Sequence, residues 1–221
     1  MIQNGFELFT SELKKALTPP LPGSYAHDLL APEHRKELLL QNHDLSKAQP
    51  SSVLILFFPD INDKPSIVLT KRVIYKGVHS GQISFPGGKS EIYDRDIFDT
   101  AFRETEEEIG IERTEIQPLG VLTELYVPPS NFIISPVVAA INHYPKFIAD
   151  EKEVAEIMVV PFELFMINGS VGNYTVENSE MLPIEVPGFM SGNNLIWGAT
   201  AMILSELILI VRKTTLFGNV K

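Results

Sequence analysis

The segment SFPGGKSEIYDRDIFDTAFRETEEEIGI, residues Ser84 to Ile111, constrains the fold of this chain more than any other stretch. Adjacent glycines, Gly87 and Gly88, allow the backbone a tight turn or a close approach by another group. A polar loop follows, and then a stretch of helical period carrying Glu104, Glu106, Glu107 and Glu108. At about 100° per residue, Phe98, Ala101, Phe102, Thr105 and Ile109 share one stripe, which is expected to face a core. Asp96 stands where it can cap the helix start, and Gly110 where a left-handed residue can end it. The same count puts Glu104, Glu107 and Glu108 together on roughly the opposite side, with Glu106 pointing away from them. Like charges three and four residues apart repel by roughly 0.2–0.5 kcal/mol on an exposed helix, and more where partly buried. A divalent cation is the simplest compensation, because Mg²⁺ takes carboxylate oxygens and shares the oxygens of a substrate phosphate. For a bare acidic run, a solvated helix face is the alternative.

The rest of the chain reads as mixed elements without repeats or low-complexity tracts. GFELFTSELKKAL has helical spacing and stops at TPPLPG, where prolines end it. SSVLILFFP and PSIVLTKR read as buried strands joined by the polar turn DINDK. PLGVLTELYV and FIISPVVAAI read as further strands, and EVAEIMVVPFELF as a strand entering a short helix. The most apolar window, NLIWGATAMILSELILIV (Asn194 to Val211), approaches the length of a membrane span. Glu206 lies within it and polar residues interrupt it, so it reads as a buried core helix. Strands around two or three helices predict an α/β or α+β sandwich. With 221 residues and 44% hydrophobic content, the expectation is one domain over residues 1–221 with a helical extension at about 1–50.

Charge narrows the partners. A net charge of -10 argues against nucleic acid as the main ligand, although an acidic protein can still bind phosphates through metal. The absence of cysteine removes disulfides, thiolate nucleophiles and cysteine-ligated zinc. Met1 to Thr18 lacks the basic start and apolar run of a signal peptide, so the expected setting is cytoplasmic, without membrane association. Ser130 and Trp197 read as structural, since no motif supplies a base for a serine nucleophile.

The acidic segment resembles the Nudix hydrolase box: Gly, five residues, Glu, seven residues, Arg-Glu, an apolar residue, any residue, Glu-Glu, any residue, Gly, an apolar residue. Arg103-Glu104, Glu107-Glu108, Gly110 and Ile111 match its second half position for position. Asp94 stands where five residues on from Gly88 the box has Glu, the loop to Arg103 is one residue longer, and Thr105 replaces the apolar residue. These departures are similar to those of the coenzyme A diphosphatase branch, whose upstream signature LTKRVIYKGVHSGQISFPGG (Leu69 to Gly88) resembles. Val73 and Gly77 depart from that signature, with Lys76 beside the missing charge. Further resemblance lies in YVPPSNFIISPVV, EVAEIMVVPFEL and IWGATAMIL, so that it covers most of the chain from about Ser52 to Leu209.

The resemblance implies a Nudix-type α/β/α sandwich with a mixed sheet, and hydrolysis of the diphosphate of coenzyme A or its derivatives. It implies Mg²⁺ or Mn²⁺ at Glu104, Glu107 and Glu108, with Glu107 or Glu153 positioning or deprotonating water. Arg103 would orient the carboxylates, paired with Asp94, and Gly87 and Gly88 would bring the backbone close to the metal. Arg72, Lys76 and His79 lie beside the box as candidates for the adenosine 3'-phosphate, with plain surface charge as the alternative. The partner is then a small-molecule diphosphate such as coenzyme A or a related nucleotide, with a homodimer compatible. ADP-ribose or another nucleoside diphosphate derivative is the rival substrate. A nucleotide-binding regulator that does not cleave is the rival class, set against the three acidic positions that this chain keeps. The related isopentenyl diphosphate isomerases use a catalytic cysteine, which is absent here.

Overall fold

A computed structural model describes residues 5–41, 43–73, 81–177 and 182–214. Its centre is strand β1 (Gln49–Pro59), which runs parallel to β7 (Phe132–Ala140) from Gln49↔Phe132 to Phe57↔Ala140. A strand inside a sheet covered on both sides has no solvent face, so its sequence is apolar throughout rather than alternating. Leu54, Leu56 and Phe58 of β1 join one hydrophobic cluster, and Ile55 and Phe57 join another across the sheet. β1 turns into β2 (Pro65–Arg72) through the DINDK segment, where Asp60 Oδ1 accepts from the Asn62 and Lys64 N–H groups at 2.8 Å. Short strands β3 (Ile83–Ser84) and β4 (Gly87–Lys89) pair with β2 and β1. β5 (Gln117–Val121) and β6 (Leu125–Val127) pair with β7, and β8 (Val154–Pro161) pairs with β2.

Helix α4 (Ile97–Ile109) covers one face of this eight-stranded mixed sheet, with Ala101 and Ile109 in the cluster around Leu54 and Val68. On the other face lie α1 (Gly5–Ala16), through Phe6, Phe9 and Leu13, and α6 (Gly198–Arg212). The layers make an α/β/α sandwich. Helices α2 (Ser24–Leu29) and α3 (His34–Leu40) complete the N-terminal segment, and α5 (Glu163–Met166) follows β8 as expected.

Two readings of the sequence are corrected. The apolar window is not one helix: Asn194–Trp197 forms strand β11, and α6 begins at Gly198, whose φ of 63° breaks the strand. β11 joins β10 (Pro183–Ser191) and β9 (Val171–Glu177) in a small second sheet that the sequence pattern did not disclose. PLGVLTELYV is not one strand either, because the chain leaves the sheet between β5 and β6 to satisfy a buried charge. There the Thr123 N–H and hydroxyl donate to the two oxygens of Glu206 at 3.0 and 2.7 Å. Glu206 is 0% exposed and also accepts from the Gly23 N–H at 2.9 Å and meets His27 Nε2 at 3.2 Å. Burial pushes its carboxyl up, but the hydrogen bonds from His27, Thr123 and Gly23 outweigh that and hold it below the usual range. Among the described residues no helix is long and apolar enough to cross a membrane.

Candidate active site

α4 begins and ends as its sequence dictates: Asp96 accepts from the Asp99 N–H at 2.9 Å, and Gly110 closes the helix with φ 72°. Its buried residues, however, are Thr100, Ala101, Arg103, Thr105, Glu108 and Ile109. Seven residues are nearly two turns, so Glu108 falls only ~20° from Ala101 and belongs to the sheet side rather than the opposite side. The three glutamates therefore do not share one solvent face. Side-chain exposure grades from 3% at Glu108 through 15% at Glu104 to 58% at Glu107.

Arg103 organises this gradient. Its Nε and Nη2 donate to the two oxygens of Asp94, both at 2.9 Å, and Nη2 also donates to the Lys89 carbonyl at 3.0 Å. Nη1 donates to Glu104 at 2.7 Å and to Glu107 at 3.0 Å. The fork holds the Asp94 carboxyl well below the usual carboxylate range, and Asp94 in turn raises the guanidinium. Asp94 thus ties the longer loop to the helix. Two contacts of Arg103 were not anticipated from sequence: the Lys89 carbonyl and the Tyr93 ring, whose centroid lies 5.7 Å from the guanidinium carbon. Only the loop's folded path brings them there, and no sequence spacing signals it.

The glycine pair is shaped to the acids. A Cβ on Gly88 would stand 2.4 Å from Glu104 Oε2, and one on Gly87 would stand 2.4 Å from the Ser52 carbonyl. The Gly87 N–H donates to Glu108 Oε2 at 3.3 Å. Arg72, at the end of β2, places Nη1 3.6 Å from Glu108 Oε1. Glu153 lies in the turn before β8, where its carbonyl accepts from the Val73 N–H at 3.0 Å. Burial pushes the Glu108 carboxyl up to about 8, with Arg72 and the Gly87 N–H pulling down and the charges of Glu104 and Glu153 adding to the rise. Glu104 is also raised, first by burial and then by Glu107 and Glu153, against the pull of Arg103. Glu104, Glu108 and Glu153 thus feel one another, while Lys76 and His79 lie outside the described residues.

Among the described residues no three His, Asp or Glu side chains converge as a ready-made metal cage. The donor set nonetheless fits a hard divalent cation. It offers carboxylate oxygens only, its buried negative charge is incompletely matched, and the glycine cradle seats Glu104 against the sheet.

The NUDIX domain profile matches residues 48–176. A Pectobacterium atrosepticum protein named Uncharacterized Nudix hydrolase NudL is 34% identical over 146 residues, spanning 66% of this chain and 74% of its own length. Its namesake from Yersinia pestis is 31% identical over 146 residues, spanning 65% and 71%. Among solved structures, a MutT/nudix family protein from Enterococcus faecalis aligns over 80% of this chain and 65% of its own, at 15% identity and a TM-score of 0.45.

Proposed function

The chain belongs to the NUDIX domain family, and from that premise we propose that it hydrolyses the diphosphate of coenzyme A or its acyl derivatives to 3',5'-ADP and the corresponding 4'-phosphopantetheine. One observation carries the catalytic part of this reading: Arg103 holds Glu104 and Glu107 beside a buried, under-compensated Glu108 over a glycine cradle. Glu104 and Glu108 would hold a divalent ion, Mg²⁺ or Mn²⁺, with Glu107 on a second ion or its waters. Such an ion, when bound, neutralises diphosphate charge and polarises the phosphorus under attack.

The chain's own groups do the rest. Arg103 fixes the carboxylates, so that little reorganisation remains when substrate arrives. Gly88 leaves the space that Glu104 occupies, and the Gly87 N–H keeps Glu108 turned toward the sheet end. Glu107 and Glu153 are the accessible carboxylates, and either takes the proton of the attacking water. Arg72, half-buried beside Glu108, supplies positive charge for a phosphate oxygen. The coenzyme A assignment is supported by the Leu69–Gly88 signature, of which Lys71 and Arg72 are the charged members within the described residues, and Arg72 is the one beside Glu108.

A substrate panel tests the proposal: coenzyme A, acyl coenzyme A, ADP-ribose and dinucleoside polyphosphates with Mg²⁺ or Mn²⁺. Coenzyme A should give the highest kcat/KM, and excess EDTA should abolish turnover. Preference for ADP-ribose would remove the coenzyme A assignment, and undiminished turnover in EDTA would remove the metal-dependent mechanism.

A further inference from the structure

The loop between β4 and α4 carries an aromatic ring that no catalytic role absorbs. Glu91 and Asp94 close a tight turn: the Glu91 N–H donates to Asp94 Oδ2 at 2.9 Å, and the Asp94 N–H donates to the Glu91 carbonyl at 3.0 Å. Arg103 grips the same Asp94 carboxylate through two hydrogen bonds, so the turn is anchored to the helix. At its tip stand Ile92, 101% exposed, and Tyr93, 67% exposed. One face of the Tyr93 ring meets the Arg103 guanidinium, 5.7 Å from the ring centroid, and the same guanidinium holds Glu104 and Glu107.

Two other tyrosines among the described residues are more than half exposed, Tyr25 and Tyr144. Tyr25 belongs to α2, which packs on α6 across the sheet, and Tyr144 sits edge-on to Phe58 at 5.5 Å. Tyr93 is the one of these three that borders the acidic site. An aromatic ring on an anchored turn loses little conformational freedom when a flat ligand lands on it, and a purine stacks well on such a ring. Its cationic neighbour on the opposite face adds polarisation to the stack.

We propose that Tyr93 is the stacking platform for the planar nucleobase of the substrate, making it a specificity-determining residue that selects nucleoside diphosphate compounds over other diphosphates. The proposal rests on the reading of the acidic site as a diphosphate site. It adds that the base lies over the β4–α4 turn, with the diphosphate extending toward Glu104 and Glu107. Ile92 flanks the platform.

Equilibrium binding separates this role from a merely structural one. The probes are ADP and ribose 5-diphosphate, which differ only by the base, titrated calorimetrically with Mg²⁺ into wild type, Tyr93→Ala, Tyr93→Phe and Tyr93→Trp. Tyr93→Ala should weaken ADP about tenfold, or 1.4 kcal/mol, and leave ribose 5-diphosphate within about twofold. Phe and Trp should retain ADP affinity, since both keep the ring face. Equal weakening of both probes would mean that Tyr93 acts only through Arg103, and the platform would be overturned. Unchanged ADP affinity in Tyr93→Ala, or wild type that does not prefer ADP over ribose 5-diphosphate, would overturn it equally. Wild type that cleaves no diphosphate would refute the hydrolase reading instead, while the two-probe comparison would still decide the fate of Tyr93.

Discussion

Replacing Arg103 by Lys keeps the charge and removes the fork. Arg103 makes five hydrogen bonds: two to Asp94 and one each to the Lys89 carbonyl, Glu104 and Glu107. A lysine ammonium has three donors on a single nitrogen and cannot span partners set around a planar group. At least two charge-assisted hydrogen bonds are therefore lost, at about 1.5–3 kcal/mol each. Asp94, with a side chain only 3% exposed, is left partly unpaired. The expected loss of unfolding free energy is about 3–5 kcal/mol by urea titration at pH 7. Acid dependence carries the same signature with a fixed sign. The folded Asp94 carboxyl lies below its unfolded value, so its contribution is complete above about pH 4 and declines as pH falls further. In that acid window the unfolded chain holds a proton that the folded chain lacks, so wild type should lose stability on acidification more steeply than Arg103→Lys. A loss under about 1 kcal/mol, or parallel pH profiles for the two proteins, would show that the fork does not hold the loop.

Gly88→Ala should lower turnover at least about tenfold with little change in melting temperature, because its Cβ meets the movable end of Glu104 at 2.4 Å. Gly87→Ala should instead destabilise the fold, since its Cβ meets the Ser52 carbonyl at 2.4 Å and the Val53 Cα at 2.6 Å; a well-folded Gly87→Ala with full activity would contradict the cradle. Glu107→Gln and Glu108→Gln should each reduce turnover at least about tenfold, and Glu108→Gln should also leave metal-free stability equal or higher, because burial at that position disfavours the charged carboxylate, which Gln cannot form. Normal turnover in both variants would reduce the acidic face to a plain surface. Glu206→Ala should cost about 3–5 kcal/mol in denaturant unfolding, because it strands His27, Thr123 and Gly23; a cost below about 1 kcal/mol would show that these hydrogen bonds do not hold the segment between β5 and β6.

The elements legible in sequence were those whose neighbours lie close along the chain. β1, β2 and their turn show as apolar runs around DINDK, and α4 shows through its period and its two caps. The breaks that escaped detection are set by distant partners. Thr123 leaves the strand pattern because Glu206, 83 positions away, needs its donors. β11 interrupts the apolar window because it pairs with β10, from Gly188↔Trp197 to Ser191↔Asn194. Neither partner is visible from local hydrophobicity.

The misplacement of Glu108 lies in the angular count itself: at about 100° per residue it falls ~20° from Ala101, at the edge of the core stripe and not opposite it. Nor does the buried line centre on the aromatics, since Phe98 and Phe102 are only partly buried. The small residues Ala101 and Thr105, both fully buried, mark the true contact line, where α4 lies against β1 and β4. Glu108 lies on that line, where an unmatched charge is costly. The Gly87 N–H at 3.3 Å and Arg72 at 3.6 Å offset part of that cost, and the carboxyl still rises to about 8. A buried acid so poorly matched is expensive for stability alone, and a divalent cation would supply the remaining compensation. The residue that breaks the pattern of the helix is thus the one whose surroundings best fit the proposed metal.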